Sequence, residues 1–372
     1  MNRFADFADA MNSRFKANVM LEGDSVQSAG IPRFSTGVLS LDCATGGGHC
    51  FGKVELLVGA ESTGKTTLAL KAARSITDYD HAAKVHRDFF DGDFEPCVAL
   101  YIDVEAAADL KYASLAHGVF FDGPEKNAHL ARPETSEQAI DLVTEAILEN
   151  VFDLIIVDSL AAMTPTAEIE HSSEDWQMGL NARLLNKAFR KWVAGMARLS
   201  QQGKIGPCLM CLNQFRDSMA LYAKRSIPGG KGQRHASGII LEASPQKYDK
   251  GELRDNSIVT LSGAITKNKV SSGVKSEYEF QLCVSEHESV PFGCVVSNAK
   301  ELQKRGMALE LIVRGKPGKN AYTYKDFSAS TQDAMMSHIL GDESIERTLW
   351  RDIVFLETAH DPSVAPWVAC GA

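Results

Sequence analysis

Cysteine is scarce in this 372-residue chain, which has eight, about 2% of its residues. That is far below the density of a disulfide scaffold. Only Cys208 and Cys211 stand at a C-x-x-C spacing, inside the apolar run Cys208-Leu-Met-Cys-Leu212 that reads as a buried strand. Residues three apart on a strand face opposite sides, so the pair is badly placed to share a metal. A reducing compartment, the cytoplasm, is the expectation. Long apolar runs are also missing. Leu154–Val157 is typical of those present, against about 18 residues for a membrane-spanning helix. Met1–Asp9 carries Arg3, Asp6 and Asp9 and offers no signal-peptide core. There is no fixed-period repeat or low-complexity tract, and no surplus of positive charge: 39 Lys and Arg against 48 Asp and Glu give −9. Taken alone, that sign disfavours a nucleic-acid partner. Net charge does not say where basic side chains sit, however, so the partner class stays open.

What is there is ordinary globular material, 44% hydrophobic and 23% charged, which excludes a disordered chain. At about 150 residues per domain the length suggests one large core with smaller attachments, enough to bury a core without staples. Residues 1–38 read as an arm. Phe4, Phe7, Met11 and Phe15 recur at helical spacing, and Val19-Met20-Leu21 could be a strand. One amphipathic helix cannot bury its own stripe, so the arm needs a second surface. Residues 39–286 alternate between strands and helices. Strand candidates are Val54–Val58, Val98–Ile102, Leu154–Val157, Cys208–Leu212, Ile239–Leu241 and Ile258–Leu261; helix candidates are Thr66–Arg74, Ser136–Leu148 and Leu180–Leu199. That alternation predicts a mostly parallel sheet covered on both faces. The acidic stretch 77–96 reads as an exposed insertion. From 287 to 372 the pattern changes to a turn-rich hairpin around Gly315–Asn320 followed by helical text ending near Glu357, a small α+β domain.

The chemistry begins at Gly59-Ala-Glu-Ser-Thr-Gly-Lys-Thr-Thr67, a GxxxxGK[ST] pattern that follows a strand and opens a helix. In that context Gly59, Glu61, Ser62, Thr63 and Gly64 form a loop whose amides can face phosphate oxygens at a helix N-terminus. Lys65 reaches the β- and γ-phosphates, Thr66 offers a hydroxyl to Mg²⁺, and Thr67 continues the helix. The implied cofactors are ATP and Mg²⁺. Asp158 ends the strand Leu154–Val157 at the carboxyl edge, where ligands bind in open α/β sheets, and would orient Mg²⁺ or its water; a helix cap would look the same in sequence. Glu105, after the strand Val98–Ile102, stands at the same edge. It is the candidate to orient the attacking water, or else a solvated turn carboxylate. Gln214 ends the Cys208–Leu212 strand and could sense the γ-phosphate, or be an ordinary polar strand end. Between 217 and 237 there is no sustained apolar period, which is uncommon inside a compact domain. Lys224, Arg225, Lys231 and Arg234 sit there among glycines with Met219 and Tyr222 nearby, a mix that grips a phosphate backbone and stacks on bases, or simply solvates a loop.

Together these residues resemble the RecA family of recombinases. The likeness runs through Lys16-Ala-Asn-Val-Met20, Ser35-Thr-Gly-Val-Leu-Ser-Leu-Asp42, the P-loop, Tyr101-Ile-Asp-Val-Glu105 and Val157–Glu170. It continues through Met178-Gly-Leu-Asn-Ala-Arg183, Asn213-Gln-Phe-Arg216 and Lys267-Asn-Lys269. It covers roughly 14–285 and reaches the C-terminal part weakly. The resemblance implies a RecA-like P-loop ATPase core with an N-terminal helix–strand arm that docks on the next protomer. It further implies a DNA-dependent ATPase that forms a helical filament on single-stranded DNA and pairs it with homologous double-stranded DNA. It gives Glu105 the catalytic role and makes Gln214 the link from γ-phosphate to DNA. Asp109 and Tyr112 would contact the adenine, and Lys267 and Lys269 would reach a neighbour's ATP, as an arginine finger does. Met178 and Met219 fall near positions that wedge between bases. Arg183, Arg190 and Arg216 fall on backbone contacts, with Gly229 and Gly230 in the second DNA loop. Composition assigns the lysines and these arginines nothing by itself. The insertion at 77–96 is longer than in typical bacterial members. The stretch Pro228–Ser237 resembles phage or archaeal-like recombinases more closely, and Thr358–Ala372 holds one acid, Asp361, where an acidic tail is expected. A RecA-like module that regulates other proteins without strand exchange is the competing reading.

Overall fold

The computed structural model describes residues 3–15, 31–77, 97–170, 179–215, 227–248, 257–271, 276–285, 287, 290–315, 321–358 and 364–368. Helix α1 (Arg3–Phe15) precedes strand β1 (Ile31–Phe34), helix α2 (Leu39–Thr45), the short β2 (His49–Cys50) and β3 (Val54–Gly59). Helix α3 (Lys65–Thr77), β4 (Ala99–Asp103), α4 (Leu110–His117), β5 (Ala128–Ala131), α5 (Ser136–Glu149) and β6 (Leu154–Asp158) then alternate. After α6 (Thr166–Glu170) and the long α7 (Leu180–Gln201) come β7 (Cys208–Gln214), α8 (Gly232–Ala236), β8 (Ile239–Ala243), β9 (Lys247–Tyr248), β10 (Ile258–Asn268) and β11 (Glu277–Cys283). The chain closes with α9 (Ser297–Ala308), β12 (Val313–Arg314), β13 (Tyr322–Tyr324), β14 (Phe327–Ala329), α10 (Gln332–Leu340), α11 (Glu343–Thr358) and β15 (Val364–Val368).

The central sheet runs β11-β10-β8-β3-β7-β6-β4-β5, with β9 attached to β10. From β8 to β5 every pairing is parallel; β10 and β11 are antiparallel additions. The mostly parallel α/β sheet expected from the alternation is therefore present. Strand periodicity explains how it is covered. Leu57, Met210 and Ile156 point to one face and pack with Leu68, Leu70 and Ile76 near α3. Leu56, Val58, Ile155 and Val157 point to the other, where Val143, Phe189 and Trp192 from α5 and α7 meet them. Cys208 belongs to the first face and Cys211 to the second, so the C-x-x-C pair is divided by the sheet. The helices between strands are capped as their termini require. Thr135 accepts from the Gln138 amide at the start of α5, and Asp109 accepts from the Tyr112 amide at the start of α4.

A third core gathers Leu302, Ile312, Tyr322, Met335, Leu349, Trp350 and Ile353 with Leu39 and Cys43 of α2. The β12–β13 pair flanks the turn-rich stretch, so the predicted hairpin is there, and β14 extends it into a small antiparallel sheet. A polar anchor ties this core to the rest. Asp42 is fully buried and accepts from Ser35 Oγ (2.5 Å), the Thr36 amide and hydroxyl (both 2.7 Å) and Trp350 Nε1 (3.0 Å). Burial raises its pKa, and these donors offset only part of that rise. No strand is expected in the tail from the sequence, yet β15 pairs in parallel with β1. On α1, Phe7 and Phe15 are exposed. The candidate strand Val19–Leu21 and the 77–96 insertion lie outside the described residues.

Candidate active site

Strand β3 is buried along its whole length and delivers Gly59 to the sheet edge. Two left-handed residues, Ser62 (φ 55°) and Gly64 (φ 83°), bend the loop back into α3. A Cβ at Gly64 would lie 2.9 Å from Leu261, so glycine is needed there for space as well as for φ. Lys65 opens the helix, and its Nζ donates to the carbonyls of Gly59 (3.3 Å) and Ala60 (2.6 Å). Burial lowers the Lys65 pKa; Asp158, Glu105 and Glu61 oppose that shift. A positive group is thus set among three carboxylates at the mouth of a loop, with Glu61 and Ser62 exposed and Thr63 buried.

The carboxylates come from neighbouring strands. Asp103 and Asp158 pair directly in the β4–β6 register, so both strands end at the level of the P-loop. Asp158 Oδ2 accepts from Thr66 Oγ1 at 2.9 Å and from the Tyr101 hydroxyl at 2.5 Å. Burial raises the Asp158 pKa, and the two hydroxyl donors offset only part of that rise. Glu105 Oε1 accepts from Ser159 Oγ at 2.5 Å. Asp103, by contrast, is consumed structurally. It takes the amides of Ala107 and Ala108 and the Arg132 Nε at 2.9 Å, fixing the turn that presents Glu105. Tyr101, Ser159 and Arg132 were not singled out from the sequence. The signal available was that Tyr101 and Asp103 share a strand face two residues apart, beside a strand ending in Asp158. Gln214 pairs with Gly59 across β3 and β7, which puts it at the same edge, while its amide donates to Asn213 Oδ1 at 2.9 Å. Asp109 caps α4, and the Tyr112 hydroxyl lies 2.9 Å from Thr67 Oγ1.

Lys267 and Lys269 sit elsewhere. Lys267 pairs with Ile240, which pairs with Leu56, three residues before Gly59 on β3. At about 3.3 Å per residue that is ~10 Å back along the strands from the start of the P-loop. Lys267 Nζ instead donates to the carbonyls of Arg234 and, at 3.3 Å, His235 at the end of α8. Partial burial, then Lys269 and Arg234, lower its pKa. Of the DNA-loop candidates, Arg183 and Arg190 are exposed two turns apart on α7. The loop's returning stem lies against that helix. Gly232 donates its amide to Asn186 Oδ1 at 2.9 Å, and a Cβ at Gly229 would lie 2.6 Å from Leu185. Gly230, Lys231 and Arg234 are therefore beside α7, with the two basic side chains exposed. Met178, Arg216, Met219, Lys224 and Arg225 lie outside the described residues.

A family model described as the RecA N-terminal domain matches residues 7–287. The chain belongs to the RecA family. The proteins named Protein RecA from Crocosphaera subtropica and Thermotoga maritima are each 33% identical to it, over 77% and 73% of this chain and 74% and 73% of theirs. That from Francisella philomiragia is 30% identical over 89% of this chain and 82% of its own. The first two alignments cover much the same extent as the family model, and the third reaches further. The RecA assignment thus rests on the chain that carries the sheet, the P-loop edge and β10. Among the described residues no helix is long and apolar enough to cross a membrane.

Proposed function

We propose that this RecA family member is an ATP-dependent recombinase. In this reading it polymerises on single-stranded DNA and exchanges strands with a homologous duplex. The observation that carries the reading is the convergence of the P-loop, the Thr66 hydroxyl and two carboxylates in a chain that belongs to the RecA family. Phosphate loop, Thr66, Asp158 and Glu105 converge at one edge of the sheet, while Lys267 and Lys269 lie back along it. A second subunit stacked on the first would bring its lysines to the nucleotide of its neighbour. Residues 1–38 would serve as the docking arm, 39–286 as the ATPase core with its DNA loops, and 287–372 as a C-terminal α+β domain.

The donor set suits magnesium. A hydroxyl and a carboxylate oxygen 2.9 Å apart are hard ligands. No cluster of three or more His, Cys, Asp or Glu able to hold a metal occurs among the described residues. Thr66 and Asp158 would hold the ion, which when bound neutralises charge on the β- and γ-oxygens. Tyr101 holds Asp158 in place. Lys65 turns from the Gly59 and Ala60 carbonyls toward the terminal phosphates. Glu105, oriented by Ser159, accepts a hydrogen bond from the attacking water. Gln214 stands where loss of the γ-phosphate would be felt by β7 and the chain that follows it. DNA recognition needs no base-reading side chains, because base pairing supplies the sequence match and Arg183, Arg190, Lys231 and Arg234 need only follow phosphates.

The test is a strand-exchange assay with the purified protein, with ATP turnover measured with and without single-stranded DNA and Lys65→Ala as control. DNA-stimulated hydrolysis and joint-molecule formation are expected. Turnover indifferent to DNA would remove the loop assignment. Negative-stain images showing rings or monomers with ATP and single-stranded DNA would favour a regulatory module over a filament.

A further inference from the structure

Tyr112 is gripped by groups from three parts of the chain. Its hydroxyl shares a hydrogen bond with Thr67 Oγ1 at 2.9 Å, on the first turn of the P-loop helix. Its ring meets His117 edge-on, centroids 4.9 Å apart at 84°. The third contact comes from far along the sequence: Phe292 lies against the ring, centroids 5.7 Å apart and tilted by 58°. Phe292 belongs to the short turn that leads from β11 into α9, and that turn is pinned. Lys71 Nζ of α3 donates to the Gly293 carbonyl at 2.9 Å, and the Gly293 amide donates to the Cys283 carbonyl at 2.9 Å. Gly293 has φ +81°, and a Cβ there would lie 1.7 Å from the Ala116 carbonyl oxygen. The turn's backbone therefore rides directly on α4, and no side chain at 293 could be accommodated. Phe292 is half-buried. Held in this way, it cannot withdraw from Tyr112 without dislodging the turn from α3 and α4.

We infer that Phe292 is a positioning residue of the nucleotide site, fixing the ring of Tyr112 in the orientation in which it meets the purine base. This rests on the reading that Tyr112 faces the base. The ring contact bears on the base end of the nucleotide, while the P-loop amides and Lys65 hold the phosphate end. Its signature is a loss of affinity confined to ligands that carry a base. An aromatic pair of this kind corresponds to roughly twofold to tenfold in an equilibrium constant.

The experiment is displacement of a fluorescent ATP analogue from the full chain, with Mg²⁺ and no DNA, by ATP and separately by inorganic tripolyphosphate, which has phosphates and no base. Phe292→Ala should weaken ATP by about threefold to tenfold and leave tripolyphosphate unchanged. Phe292→Tyr, which keeps the ring, should restore the ATP value. Unchanged ATP affinity in Phe292→Ala, or equal weakening of ATP and tripolyphosphate, overturns the inference; the latter would mean the side chain only supports the fold. Should Phe292→Ala fail to fold, Phe292→Leu keeps the apolar volume without the ring and should weaken ATP alone; wild-type ATP affinity in that variant is equally fatal. Tyr112→Ala separates the two levels. If it leaves ATP affinity intact, Tyr112 does not face the base and the underlying reading fails. If it weakens ATP while Phe292→Ala does not, only the role of Phe292 falls.

Discussion

His117 makes the stability of this protein sensitive to mild acid. The imidazole is buried at the end of α4, and among the described residues neither ring nitrogen has a hydrogen-bond partner. Burial, with a smaller push from the Lys71 ammonium, lowers its pKa from 6.5 to about 3. The folded state therefore keeps the ring neutral where the unfolded chain protonates it. The unfolded state then binds more protons below pH 6.5, so stability is complete above that value and is lost as pH falls toward 3. Each pH unit inside that window costs up to about 1.4 kcal/mol. Between pH 7.5 and 5.0 this one group should remove ~2 kcal/mol, the ordinary unfolded pKa lying about 1.5 units above the lower pH. The perturbation is His117→Leu, which keeps an apolar group of similar bulk against Tyr112 and cannot titrate. The assay is urea denaturation of both proteins at the two pH values. With a slope of about 3 kcal/mol per M, the wild-type midpoint should fall by ~0.7 M more than that of the variant. Parallel shifts in the two proteins would refute the assignment, because every other titrating group is common to both.

Tyr101→Phe removes the hydroxyl that orients Asp158 and should raise the Mg²⁺ concentration needed for half-maximal ATP hydrolysis by roughly tenfold or more; a Mg²⁺ titration identical to wild type counts against the hydroxyl's role. Trp350→Phe deletes the indole N–H that reaches Asp42 across 308 residues and should cost about 3 kcal/mol, combining a lost buried hydrogen bond with lost core volume. A differential scan should show a lower Tm, and a shift of under a degree would mean Asp42 is satisfied without it. Lys267→Ala or Lys269→Ala should abolish DNA-stimulated hydrolysis while the monomer still binds ATP, and comparable loss of both would sink the in-trans role. Lys224→Ala should flatten the dependence of log affinity for single-stranded DNA on log salt by about 0.7, one phosphate contact's worth; an unchanged slope would take that residue off the DNA.

What the sequence discloses here follows the range of the interactions involved. The P-loop is legible because strand, loop and helix are contiguous and their geometry is local, so Gly59–Thr66 announces its own conformation. The carboxylates are legible one step further out. Asp158 and Glu105 each follow an apolar run of strand length, and parallel pairing then brings Asp103 and Asp158 to the same level. The partners that make those carboxylates usable are not legible in the same way. Ser159 simply follows Asp158 in the sequence yet is the donor to Glu105, and Tyr101 is one residue of an apolar strand yet is the donor to Asp158. The asymmetry has a physical source: apolar periodicity encodes which face a residue takes but not which polar atom it finds there. The same limit hides Trp350 on Asp42 and Phe292 on Tyr112, contacts between segments that share no local pattern. Net charge is uninformative about partners for a related reason. The exposed basic residues Arg183, Arg190, Lys231 and Arg234 are gathered because the loop stem packs on α7 through Gly229 and Gly232. The count of −9 averages that surface with acids placed elsewhere. A partner that follows phosphates responds to the local arrangement and hardly to the sum, so an acidic chain can still present a basic surface to DNA.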